Sequence, residues 1–184
     1  MKNNSHQQGF TLIEVLIAFI ILSLGLLGAI ALQAKAKQAS FDAMQRSAAI
    51  SLGNDIIQRM RANDTASFAN LYQKNFNSQT ALQKVSPCYQ SSCSSQQIAA
   101  LDMQQWVRAI RARENTGALD QANVCITTAK VSGGLPNEYE IEVVVSWQGR
   151  QEFKTNDENK GKKCGTANDS RRLVVLNSYI YLRS

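Results

Sequence analysis

Histidine is almost missing from this chain. Its single copy, His6, stands among the first nine residues, and nothing after Gly9 carries an imidazole. Ser-His-Asp and Cys-His catalysis and the usual histidine-based metal sites are therefore unavailable to the rest of the chain. Proline is nearly as scarce, with Pro87 and Pro136 only, so nothing between Phe10 and Arg61 is bound to break a helix. Positive charge is absent from Phe10 to Leu32, a stretch that holds no Lys, Arg or His. The four cysteines contain no C-x-x-C pair, and a zinc site is a poor reading of them.

What is present is one long apolar run. Phe10 to Leu32 offers 23 positions, and a helix needs about 20 to span a bilayer. Inside it stands one carboxylate, Glu14, which costs roughly 2.5 kcal/mol or more in hydrocarbon. Such a residue calls for a cation. If the chain were cut between Gly9 and Phe10, the new α-amino group would supply one, four residues from Glu14. Within one chain that pair is strained, because the amine sits at the positive end of the helix. Between staggered helices, Glu14 of one subunit could reach the amine of the next and set the register.

Gly9-Phe10-Thr11-Leu12-Ile13-Glu14 followed by about twenty apolar residues resembles the processing and assembly motif of type IV pilins and type II secretion pseudopilins. The resemblance implies cleavage after Gly9 by a prepilin peptidase and N-methylation of Phe10. It implies subunit docking through Glu14. It also implies a precursor held in the inner membrane with its C-terminal part in the periplasm, then a place in the pilus at the cell surface. Lys35 and Lys37 follow the span closely, so charge does not favour that orientation, and the expectation rests on the resemblance.

The expected organisation is a leader over 1–9, a transmembrane and filament-core helix over 10–32, an amphipathic spine over 33–62 and a globular head over 63–184. Phe41, Met44, Ala48, Leu52, Ile56 and Met60 recur at helical spacing, which predicts one helix from about Phe10 to about Arg61, roughly 75–80 Å long. Gly25 and Gly28 in its apolar half would weaken it or admit a close neighbour.

Ala62 to Ser95 is rich in Ser, Gln and Asn and reads as a connector with one short helix near Ala66–Gln73. Gln96 to Arg113 reads as a second helix with Ala99, Met103, Trp106, Val107 and Ile110 on one face. Asp102 and Trp106 lie one turn apart there and read as core rather than as a binding site. Beyond Ala122 the period falls to two. Val124–Lys130 is an expected strand and Gly133–Asn137 a turn. Tyr139, Ile141, Val143, Val145 and Trp147 alternate with Glu138, Glu140 and Glu142 in a second strand. The glutamates read as solvated or matched to basic neighbours, not as a catalytic pair. A polar loop from Gly149 to Asp169 carries Lys154, Lys160, Lys162 and Lys163, and Arg171–Leu182 forms a third strand. The expected fold is α+β, a long N-terminal helix packed on a small antiparallel sheet.

Cys88, Cys93, Cys125 and Cys164 stand beyond the span, where an exported setting favours disulfides. Three connectivities can be drawn. Cys88–Cys93 with Cys125–Cys164 is the favoured one, closing loops worth roughly 2 and roughly 4 kcal/mol. The formal charge of +6 becomes 6 − 1 = +5 once Lys2 is removed, a weak case for nucleic acid. The basic loop has almost no interleaved aromatic residue beyond Phe153.

The head adds a finer resemblance. The C-x-x-x-x-C pair, Asp102 and Trp106 on the following helix, Leu135-Pro136 before a strand ending in Val145-Ser146-Trp147, and a later cysteine before Arg171-Arg172 are similar to PilV-type minor pilins. That implies a structural subunit without catalytic residue, cofactor or metal, which joins other minor pilins and the major pilin at an inner-membrane assembly platform. In this reading it takes part in priming pilus assembly, in or at the tip of the pilus. The alternatives are a minor pseudopilin of a type II secretion system and a membrane-anchored periplasmic binding module.

Overall fold

A computed structural model describes residues 9–83, 88, 92–135, 137–152 and 161–182. Met1 to Gln8 of the expected leader, Pro136, Phe153, Lys154 and Lys160 lie outside the described residues. The chain divides into two compact units, residues up to Asp42 and residues from Ala43 onward. Helix α1, Leu12–Ala62, contributes its first part to one and its last part to the other.

In the first unit, α1 opens two residues later than expected, with Thr11 O accepting from Glu14 N at 3.1 Å. Its apolar side chains lie bare. Phe10 is 82% exposed, and Leu12 through Leu32 expose every large hydrophobic residue. This segment is long and apolar enough to cross a membrane.

The second unit, the head, is built on the Ala43–Ala62 part of α1. Ala49, Leu52, Ile56, Ile57 and Met60 are buried, at the spacing a helix needs to present one stripe to a core. Met44 was expected in that stripe and is 52% exposed; Gln45 takes the place instead. The reason is a bond that hydropathy does not reveal. Gln45 Oε1 accepts from the indole N–H of Trp147 at 3.3 Å, so the amide enters the core already partnered.

After α1 come α2 (Phe68–Tyr72), β1 (Asn75–Asn77), α3 (Ser95–Asn115), β2 (Asp120–Lys130), β3 (Glu138–Gln148) and β4 (Arg171–Tyr181). The sheet has four strands in the order β1-β2-β3-β4, each antiparallel to the next. One more strand is present than the sequence reading expected. β1 has only three residues and no run long enough to show alternation, yet it pairs Phe76 with Val124 and buries that ring against Trp106.

Helix α3 has both of its ends written locally. Ser94 and Gln97 form a capping box, with Ser94 N donating to Gln97 Oε1 at 2.8 Å. At the other end Gly117, at φ +70°, turns the chain so that its own N–H and that of Ala118 return to the carbonyls of Glu114 and Arg113.

Strand β3 is buried on more of its length than an alternating strand would be. Val144 and Ser146, on the face away from α1, are covered as well as Val143, Val145 and Trp147. The cover is the segment around Cys164, whose sulfur lies 3.6 Å from Val144 O, with Gly165 close over Ser146.

Helix α1 approaches the other face closely at Gly53, where an added Cβ would stand 2.2 Å from Leu176 Cδ1. A glycine inside a helix costs about 1 kcal/mol relative to alanine, and here it permits the contact with β4. Gly53→Val is expected to lower the stability of the head by about 1–3 kcal/mol through overpacking. Thermal unfolding should show part of that loss recovered when Leu176→Ala is added; an unchanged midpoint for Gly53→Val alone would show the approach to be inessential.

Candidate functional site

Gly9, Phe10 and Glu14 come together at the beginning of α1. Gly9 and Phe10 precede the helix, and Glu14 lies in its first turn, where the free backbone N–H groups and the helix dipole favour an anion. Glu14 is fully displayed on an otherwise apolar surface, and among the described residues no ion pair or side-chain hydrogen bond engages it. Phe10 stands four positions before it in the chain. An amine created at Phe10 and the Glu14 carboxylate would thus belong to one patch, available to a neighbouring chain. Gly25 and Gly28 have open space where a side chain would be, so another helix could pack closely there. Ser23 donates its hydroxyl proton back to Phe19 O at 2.7 Å.

In the head, the residues with catalytic-looking chemistry are engaged in structure. Asp102, on the buried face of α3, accepts from the Tyr72 hydroxyl at 2.8 Å and from Arg59 Nη1 at 3.2 Å. Arg59 also donates to Gln105 and to Asp55, and Asp55 Oδ2 accepts from the Trp106 indole at 3.0 Å. Asn63 completes the group by donating to Tyr72 Oη and to Ser95 O, both at 2.9 Å. Burial pushes the Tyr72 phenol well above its ordinary range, opposed by the Asn63 hydrogen bond and reinforced by Asp102. This network fastens α1 to α2 and α3. Asp102 and Trp106 were expected in the core, and there they lie. Arg59, Asn63 and Tyr72 were not anticipated, although the Asp55–Arg59 spacing of four was a visible cue.

The disulfides are Cys88–Cys93 and Cys125–Cys164, with Cα separations of 5.5 and 5.9 Å. The second ties the segment before β4 to the outer face of β2. Arg171 strengthens the same closure by donating to the carbonyls of Lys162 and Cys164. The glutamates of β3 part company. Glu142 pairs with Lys162, Glu138 accepts from Leu135 N–H and the Tyr181 hydroxyl, and Glu140 is exposed. Among the described residues, no three His, Cys, Asp or Glu side chains gather as a metal site would require.

Asp102→Ala is expected to cost about 1–3 kcal/mol, because the buried Tyr72 hydroxyl would lose its acceptor. Tyr72→Phe added to it should then cost little more, and a denaturant double-mutant cycle tests that coupling; additive losses would dissolve the network. Replacing Cys125 and Cys164 together by serine should cost about 2–4 kcal/mol, read from the same unfolding curves.

Comparison with known families bears on both units. The model described as type IV pilin Tt1218 matches residues 31–104, and that of the prokaryotic N-terminal methylation motif matches residues 4–30. No curated protein and no solved structure matches the chain. The methylation motif falls on the apolar helix with its lone Glu14, and the pilin match runs from the later part of α1 through α2 and β1 into the first half of α3. With the N-terminal apolar helix and the antiparallel sheet, these two matches, each over less than half of the chain, support a type IV pilin-like protein.

Proposed function

We propose that this chain is a minor type IV pilin, a structural subunit that takes part in priming pilus assembly and is incorporated in or at the tip of the pilus. The observation that carries the reading is the lone carboxylate, Glu14, on a fully bare apolar helix just after the Gly9-Phe10 junction. The apolar helix holds the precursor in the inner membrane, head in the periplasm. A prepilin peptidase cuts after Gly9 and the Phe10 amine is methylated, which leaves it basic. In a bundle of staggered helices, Glu14 then pairs with the amine of a neighbour. The packed helices take over from lipid as the cover for the bare apolar side chains.

Selectivity belongs to the head, whose network and disulfides hold its surface in one form. Other minor pilins and the major pilin are the neighbours it meets, on an inner-membrane assembly platform. Nothing in this role needs a cofactor, because the work is association. The favourable step is the close packing of helix on helix and the pairing of Glu14, already out of water in the membrane, with a cation that exists only after processing.

N-terminal sequencing of the mature protein is expected to begin at Phe10, with Gly9→Ala processed poorly; a mature chain that keeps the residues before Phe10 would reject the cut. Glu14→Ala should be processed and held in the membrane yet enter sheared pili about tenfold less or worse, since removing one member of a buried ion pair costs about 3–5 kcal/mol. Normal recovery of Glu14→Ala in pili, measured by mass spectrometry, would remove the docking role.

A further inference from the structure

The sheet face turned away from α1 has two halves of different character. One half is closed by the segment around Cys164, which covers Val144 and Ser146. The other half is open. There β3 presents Glu138 and Glu140, and β4 sets Tyr181 and Tyr179 directly opposite them in register. The two tyrosines are 57% and 52% exposed, the only large aromatics so bare among the described residues of the head. Their neighbours on β2, Thr127 and Ala129, are small and exposed and cover nothing.

The charge of this half opposes that of the chain. The protein has 20 Lys and Arg against 14 Asp and Glu, yet among the described residues no Lys or Arg pairs with Glu138 or Glu140. Glu138 is held by the Tyr181 hydroxyl, an arrangement that keeps the Tyr181 phenol above its usual range and fixes its ring beside the carboxylate. The Glu140 side chain has no hydrogen-bond partner among the described residues. Two rings about 7 Å apart along one strand, with carboxylates on the next, form a surface that suits a cation. An alkyl stem lies on the rings and a charged head reaches the acid.

The same tyrosines stand on an unpaired edge. Among the described residues β4 closes the strand order and has a neighbouring strand on one side only, over 11 residues. Its outer row of backbone N–H and C=O groups is open to another strand, and no Lys, Pro or bulge blunts the Asn177–Tyr181 half.

We propose that the Asn177–Tyr181 half of β4 is the docking edge for an extended segment of a partner protein that carries Lys or Arg at alternate positions. The incoming strand pairs with the β4 backbone about 4.8 Å away. Every second side chain then falls on the Tyr179–Tyr181 face, and its cation crosses the rings toward Glu140. Main-chain bonding supplies affinity and the acid-aromatic pair supplies the choice of partner. This docking does not depend on Glu14 or on processing.

The test uses the full chain in non-ionic detergent and a fluorescent peptide of alternating arginine and valine. Binding should be saturable, weaken as salt is raised, and be lost when glutamate replaces arginine in the peptide. Tyr179→Ala and Glu140→Gln, both at exposed positions that should leave thermal stability unchanged, are each expected to weaken binding about fivefold to tenfold, with Tyr179→Phe close to the parent. Methylating alternate peptide nitrogens should abolish binding. Absence of binding, equal binding by the Glu140→Gln and Tyr179→Ala variants, or equal binding of the methylated peptide would each overturn the proposal.

Discussion

The head depends on how one short stretch of helix is covered. From Ala43 to Ala62, α1 places Ala49, Leu52, Ile56 and Met60 on one side, and that side is buried only because four antiparallel strands and α3 close over it. Each fully buried aliphatic side chain contributes about 1.5–3 kcal/mol, so the stripe outweighs any local preference in the segment. The helix cannot roll to bring Met44 inward without losing the contact at Gly53 and the Gln45–Trp147 bond. Steric fit at one residue and polar satisfaction at another thus set the same rotation.

Polar groups then fix what apolar packing leaves loose. Asp102 reaches the core with Tyr72 and Arg59 as donors, so its burial costs little and its direction is defined. The Cys125–Cys164 bridge and Arg171 do the same on the opposite face, turning a polar segment into the cover of half the sheet. What they leave uncovered, the Glu138–Glu140 and Tyr179–Tyr181 half, is held rigidly by strands that are buried on their other side. A surface of that kind loses little entropy when it binds.

The first unit follows a different rule. Its side chains between Phe10 and Leu32 have no cover of their own, and Glu14, the one acid in that stretch, has no cation within it. A segment with that composition is completed by its surroundings, lipid or like helices, and not by folding.

The long helix, its apolar first half, the α3 face, the alternating β3 strand and the place of Glu14 were all legible in the sequence, because each rests on a period or on a run of one character. Glu14 stands out in the sequence without any fold, as a single charge in an uncharged stretch, and the assignment of Gly9 and Phe10 beside it comes from the resemblance of the motif. The strand β1, the buried Gln45, the Arg59–Asp102–Tyr72–Asn63 network and the covering of Val144 and Ser146 were not. Those features join residues separated by 9 to 102 positions, and no local pattern encodes which distant partner satisfies a buried polar group. Periodicity and the run of one character by themselves determined the long helix, α3 and the alternating strand β3; the tertiary structure decided the strand β1, the rotation of α1 that turns Gln45 and not Met44 inward, and which half of the sheet stays open, because these depend on contacts that exist only once the chain has closed on itself.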